Sequence, residues 1–415
     1  MSSTAHERYR KRLAALVTDE PIMSAIEGAR GPHACWPPGR KLRRIYGRFN
    51  PDRELYASLV FEVEGEPQLL LHVEISESRT GAQGADDLVA FDSNLGWLRV
   101  MRFPADPALD TLGAVLAGAG RARVVRYRPQ RRCTIRFDEA GRTRFVKVYP
   151  KKFLRRGRGE QLHADNLALW RASERGELDF AVAEPEHWDA QARALWQVKL
   201  DGTPAFNRLC GKEGAGLARR MGRAAASLTL SGIRPQRTFD AAEQLAASSR
   251  YGAKLCARVP RLAATVNSLL KALAEIHAAN TQRALRPIHG DMDAHQWLDD
   301  KGRLGLVDFD DFALGDPELD VATFLAELEF EGNHPQLPFE QLAAAFVDGY
   351  ALTAGTLDKR LLCAYLAHKR LFKALRSARA LQPDGDVRAE RCLALGRRGS
   401  ERELSELLTE EMALV

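Results

Sequence analysis

His289, Gly290 and Asp291 stand side by side, Gln296 follows five residues on, and Leu306-Val307 then leads into Asp308-Phe309-Asp310. Two acids on neighbouring loops, with an amide between them in sequence, form a set of oxygen donors. Phosphoryl transfer asks for such a set, because it needs positioning and charge neutralisation more than covalent help. One carboxylate has to take or orient the proton of an attacking hydroxyl, and others have to hold magnesium between phosphate oxygens. A cation on an upstream strand should reach the phosphates. Lys147, inside Phe145-Val146-Lys147-Val148-Tyr149, is placed for that task.

Other chemistries find less support. No GxxxxGK[ST] or GxGxxG segment occurs, which removes the Walker-type and dinucleotide-fold readings. A DxD-like triplet also serves metal-dependent glycosyltransferases, but the upstream His-Gly-Asp and the lysine strand do not fit them. The six cysteines are scattered with no CxxC pair, which argues against zinc and disulfides and fits a reducing cytoplasm. No stretch reaches the roughly 18 uncharged apolar residues of a membrane helix, and the first twenty residues lack an export-signal core. Between Arg121 and Arg158, fifteen Lys and Arg face two acids, Asp138 and Glu139, within a chain of net charge +6. Without an aromatic platform this run reads as a solvated face or a rim attracting polyphosphate, not as a nucleic-acid surface.

The elements that must position these residues follow from periodicity. Residues 1–20 read as an amphipathic helix. Leu59, Phe61 and Val63 alternate, Gly65-Glu66-Pro67 breaks the run, and Leu69 to Ile75 resumes it, which predicts a hairpin. Leu88 to Phe103 adds one or two strands, and Pro104 and Pro107 mark a boundary. Three strands follow, around Val124–Tyr127, Cys133–Phe137 and Phe145–Tyr149, then a helix over 159–173 and a strand over 194–200. Beyond Gly202 the chain is mostly helical, with helices about Leu217–Leu228, Leu262–Ile276, Pro317–Phe330, Glu340–Leu352 and Lys359–Ala380. Three parts are expected: a strand-rich cap over 1–105, a small α+β lobe over 106–200 and a helical lobe over 201–415.

The segment Pro287 to Leu328 resembles the aminoglycoside phosphotransferase and choline kinase superfamily, which shares the protein-kinase fold. The family's HGDxxxxN and DFD or DWE elements are followed there by GDPxxDLA, read here as Gly315-Asp316-Pro317-Glu318-Leu319-Asp320-Val321-Ala322. The resemblance spans residues 121–380. It implies an α+β bilobal fold with the nucleotide in the cleft, ATP and magnesium as cofactors, and a small hydroxyl compound as acceptor. By position it makes Asp291 the catalytic base, Asp308 the main magnesium ligand, and Gln296 a second ligand where the family usually has Asn. Asp310 serves metal or substrate, His289 is structural, and Asp320 is a buried brace. Lys147 resembles the lysine of the ATP site, paired with Glu160 or Asp165. Leu195 to Gly202 resembles the interlobe hinge, with Gln197 and Lys199 beside the nucleotide. Members resembling maltokinase also carry Gln at this position and a strand-rich cap, which points to a sugar.

Two further functions compete with a small-molecule kinase. The Arg131-Arg132 turn stands where a glycine loop would cover the nucleotide, and together with Gln296 it leaves room for a nucleotide-binding pseudoenzyme. Protein phosphorylation is disfavoured, since no APE-ended activation segment follows Asp308. An aminoglycoside acceptor would want an acidic pocket, for which Glu327, Glu329, Glu331 and Glu340 are candidates. A solvated face is the alternative for these acids; the basic helix with Lys369, Arg370 and Lys373 reads as a solvated face, with substrate binding as its alternative. The overall basicity leans towards a neutral or anionic acceptor.

Overall fold

The computed structural model describes residues 3–28, 40–50, 56–79, 87–118, 121–139, 141–280, 283–331 and 338–398. They divide into two compact units. The first comprises 1–159, 186–197 and 376–388; the second comprises 160–185, 198–375 and 389–415.

The first unit opens with α1 (Ser3–Val17) and α2 (Glu20–Gly28), which bury Tyr9, Leu16, Ile22 and Ile26. A five-stranded antiparallel sheet follows: β1 (Leu42–Asn50), β2 (Tyr56–Val63), β3 (Glu66–Ser76), β4 (Leu88–Asp92) and β5 (Gly96–Arg102), in spatial order β1-β2-β3-β5-β4. The predicted hairpin is β2–β3, and its alternating Leu59, Phe61, Leu71 and Val73 are fully buried beneath the two helices. After α3 (Leu112–Ala117) comes the second sheet, β6 (Arg121–Arg128), β7 (Arg132–Glu139), β8 (Arg142–Val148), β9 (Pro185–Asp189) and β10 (Ala194–Val198), in order β6-β7-β8-β10-β9. Val60 and Leu70 of the first sheet share a core with Tyr127, Ile135, Phe137 and Val146 of the second.

Asp106 ties that unit together through hydrogen bonds. Its carboxylate is buried and accepts from the Tyr127 hydroxyl at 2.8 Å and the Gln130 backbone N–H at 2.8 Å. Gln130 has a positive φ of 59°, and its side-chain amide donates to the Tyr56 hydroxyl at 3.0 Å and to Glu74. The β6–β7 turn, with no glycine of its own, is thus pinned to the first sheet.

The second unit begins within α4 (Arg158–Glu174) and continues through β11 (Thr203–Pro204), α5 (Phe206–Leu209), α6 (Gly214–Leu230), β12 (Thr238–Phe239), α7 (Ala241–Arg258) and α8 (Ala263–Ala278). Short strands β13 (Arg286–Ile288), β14 (Trp297–Asp300), β15 (Arg303–Leu306) and β16 (Ala313–Gly315) come next, then α9 (Glu318–Glu331), α10 (Phe339–Ala354), α11 (Lys359–Arg379) and α12 (Gly385–Arg398), of which residues 376–388 belong to the first unit. Helices α6 and α10 cross at Gly222 and Gly349. A Cβ at either would strike the other helix's backbone, so only glycine allows that approach. Trp297, Phe324 and Phe346 fill the core, the last two stacked at 3.9 Å.

Candidate active site

The loop after β13 is held by its backbone. The N–H groups of His289 and Gly290 both donate to the buried Asp320 carboxylate, at 2.6 and 2.9 Å. Asp320 lies in the first turn of α9, where the helix dipole favours an acid and where charge-assisted bonds are strong. Gly290 has φ +83°, and a Cβ there would collide with the Asp311 carbonyl, so the His-Gly-Asp loop lies directly on the turn after Asp308. The buried His289 ring packs on Phe309 at 4.6 Å between centroids. Its Nε2 meets the Val307 carbonyl at 3.1 Å, a partner that only accepts, so Nε2 carries the proton. His289 and Asp320 have the structural roles that the sequence suggests for them.

Gln296 reaches the same place by another route. Asp293 caps the 3-10 turn Ala294–Gln296, accepting from the His295 N–H at 2.8 Å, while Gln296 Oε1 accepts from the Asp293 N–H at 3.2 Å. This is a reciprocal capping box. The chain then forms the β14–β15 hairpin, in which Trp297 faces Leu306. At its open end the Val307 N–H donates to the Gln296 carbonyl at 3.2 Å, bringing residue 296 alongside 307 and 308. Asp308 holds φ 74° and ψ 48°, a left-handed conformation that costs a non-glycine residue energy and clusters at functional sites. Asp310 follows, half-buried, in the 3-10 turn Phe309–Asp311. The second unit therefore gathers Asp291, Gln296, Asp308 and Asp310 on adjoining loops.

Asp291 is open to solvent, yet the protein packed around its carboxyl desolvates it enough to push its pKa above the usual carboxylate range. Lys369 and His289 oppose that shift, and Asp311 and Asp293 add to it. Burial also raises Asp320, against His289, the two N–H donors and Lys369. The remaining donors suit a hard cation. Asp308 and Asp310 offer carboxylate oxygens, and Gln296 Oε1 keeps one lone pair beyond its capping bond.

The other candidates lie elsewhere. Lys147 is half-buried on β8 between buried Val146 and Val148, opposite Thr134 of β7. Glu160 is exposed in the first turn of α4. Asp165, half-buried on the same helix, is pushed up to about 6 by burial alone. Gln197 is half-buried on β10, and Lys199 is exposed and pairs with Asp201 at 3.1 Å. The chain passes from the first unit to the second between Gln197 and Val198, inside the segment predicted as a hinge. Trp196 stacks on Phe137 at 5.2 Å, a core role.

The sequence profile described as the phosphotransferase enzyme family matches residues 133–360, more than half of the chain. The chain belongs to the phosphotransferase enzyme family. No curated protein matches the phosphotransferase in sequence. Among solved structures it is similar to a choline/ethanolamine kinase family protein from Mesorhizobium loti, with 18% identity over 71% of this chain and 94% of that one, at TM-score 0.48. It is also similar to a choline kinase from Streptococcus pneumoniae (14% identity, 68% and 95% covered, TM-score 0.47) and to an aminoglycoside 3′-phosphotransferase of type VIII (22%, 63% and 98%, TM-score 0.48). The phosphotransferase has an α+β fold, with two antiparallel sheets in the first unit and mostly helices in the second.

One sequence expectation is corrected at the acidic helix. Glu327 is buried and paired with Lys373, and Glu329 is gripped by Arg370 through two bonds at 2.8 and 2.6 Å. Glu327 and Glu329 are neither an open pocket for a polycation nor a solvated face, and Arg370 and Lys373 are buried beside them, whereas Glu340 is exposed. Nothing in the local sequence links residues some forty positions apart, so pattern reading had no signal for these pairs. Among the described residues no helix is long and apolar enough to cross a membrane.

Proposed function

We propose that the phosphotransferase moves the γ-phosphate of ATP, with magnesium, onto a hydroxyl of a sugar or amino sugar. The observation that carries this reading is the convergence of Asp291, Gln296 and Asp308 around the Gly290–Asp311 contact. Asp291 is assigned the acceptor hydroxyl: it is an exposed residue on a loop held by Asp320, and its carboxylate orients and takes the proton. Asp308 leads the magnesium ligands, with Gln296 and Asp310 beside it; when bound, the ion neutralises phosphate charge. Lys147 is assigned the phosphates, with Glu160 or Asp165 as its helix acid, and the backbone about Gln197 and Lys199 the adenine. Residues 106–200 and 201–415 are the kinase lobes in this reading, and 1–105 is a cap preceding them. The neutralised Glu327 and Glu329 favour a sugar over a polycationic antibiotic.

The test is ADP release from Mg-ATP with a panel of neutral sugars, amino sugars, sugar acids, sugar phosphates and aminoglycosides. Asp291→Asn keeps the shape and removes the acceptor charge, so kcat should fall on the order of 10²–10⁴-fold while ATP affinity by calorimetry stays within error. A pseudoenzyme would give no acceptor-dependent release in either protein. An Asn variant turning over like wild type would remove Asp291 from the mechanism.

A further inference from the structure

Helix α11 is fastened to α9 and its approach at both ends of one face. The Tyr365 hydroxyl donates to Asp316, just ahead of α9, at 2.6 Å. Two turns on, Lys373 pairs with Glu327 near the far end of α9. Residues 365, 369 and 373 are four apart and therefore form one stripe on the helix. Lys369 is carried between those two anchors, over the stretch of α9 that holds Asp320. Its charge acts on Asp320, and among cations it acts most strongly on Asp291. Glu327 in turn lies within 4.8 Å of ligand atoms of Asp293 and His295, on the same loop as Asp291.

The charges around this stripe are nearly all matched. Lys373 and Arg370 have Glu327 and Glu329, Asp311 has Arg237 at 2.7 Å, Asp293 caps its turn, and Asp320 holds two backbone N–H groups. The half-buried Lys369 ammonium makes no ion pair among the described residues. Its charge acts on Asp291 and Asp320 without a direct ion pair, so an anion arriving within hydrogen-bond distance would gain a charge-assisted bond there. One of the carboxylates it acts on is Asp291, the residue assigned to the acceptor hydroxyl.

We infer that Lys369 is an acceptor-binding residue that takes a carboxylate or phosphate oxygen near the reacting hydroxyl, which makes the acceptor an anionic hydroxy compound such as a sugar acid or sugar phosphate. The inference rests on the reading of Asp291 above and narrows its substrate class. The same ammonium could meet the transferring phosphate of ATP, and the experiment separates the two sources.

ADP release from Mg-ATP is measured with glucose, maltose, glucosamine, kanamycin, gluconate, glucuronate, glucose 1-phosphate and glucose 6-phosphate. An anionic member should give the highest kcat/KM. With it, Lys369→Gln should raise the acceptor KM roughly 10–100-fold, the loss of a charged hydrogen bond, with the KM for ATP unchanged. Lys369→Arg should recover most of the loss, which a merely structural role would not predict, and it also tests the site should the Gln variant fold poorly. Highest turnover with a neutral or cationic member overturns the inference, as does an unchanged acceptor KM in Lys369→Gln. A shift confined to the KM for ATP assigns the ammonium to the donor and overturns it too. No turnover with any anionic member overturns the acceptor class. Slow ATP hydrolysis that Asp308→Asn abolishes would then show that the phosphotransfer reading still stands.

Discussion

At Gln296 one extra methylene lets a single side chain serve the fold and the metal. Its carbonyl oxygen closes the capping box on Asp293 and keeps a lone pair for a cation. Asp308 contributes charge, whereas an amide contributes only a dipole. Asp308→Asn should therefore weaken Mg-ATP turnover severely. Gln296→Asn should keep most activity but loosen the box, at a cost of about 1 kcal/mol in urea unfolding. Loss of turnover in Gln296→Asn with Asp308→Asn still active would reverse the ligand order. The loop residues of this site were legible because they are contiguous and their types match their chemistry. Lys369 was not, because its relation to Asp291 depends on Tyr365 and Lys373 anchoring a helix some seventy residues downstream.

Elements with a clean period were legible in the same way, and those whose pattern is set by partners were not. The hairpin β2–β3 shows plain alternation and was predicted; β1 was missed because Arg43, Arg44 and Arg48 interrupt its pattern. Arg44 reaches across to the carbonyls of Leu16 and Thr18 at the end of α1, at 2.9 and 3.1 Å, so its charge is spent on a helix terminus. Helix α7 was also missed, although Asp240 and Glu243 mark its start: Asp240 accepts from the Glu243 N–H at 2.9 Å. The β6–β7 turn depends on Asp106 in the same non-local manner. Asp106→Ala leaves the Tyr127 hydroxyl and the Gln130 N–H without their acceptor, so it should destabilise the first unit by roughly 2–4 kcal/mol. Asp106→Asn, which still offers a carbonyl, should cost less. Equal urea midpoints for wild type and Asp106→Ala would show that the turn does not need this anchor.

Two compact units in one chain allow separate unfolding transitions, and pH should distinguish the forces within the second unit. His368 is buried there with Nδ1 at 2.6 Å from the Ser248 hydroxyl and Nε2 at 2.9 Å from His277 Nε2. Two facing ring nitrogens at that distance share one proton, so at most one ring can be charged, and burial holds the pKa of both below the usual histidine range. Burial, with His277 and Lys369 adding, lowers the His368 pKa to about 3 from its usual 6.5. The unfolded chain thus binds the proton first, and stability falls as the pH drops below 6.5 towards 3. Asp165 works the other way. Burial raises it to about 6, so the folded chain binds the proton first, and between pH 6 and 3.8 its contribution grows as the pH falls. The stability of wild type relative to His368→Asn should therefore decline between pH 7 and 5, on the order of 1 kcal/mol per unit once below 6.5. Relative to Asp165→Asn it should rise over the same range. Calorimetry of the transition that each substitution moves provides the comparison, and because each variant is its own reference, a uniform loss of stability does not mask the slope. A wild-type stability that rises relative to His368→Asn as the pH falls would mean that His368 is protonated in the fold, against the burial that lowers its pKa.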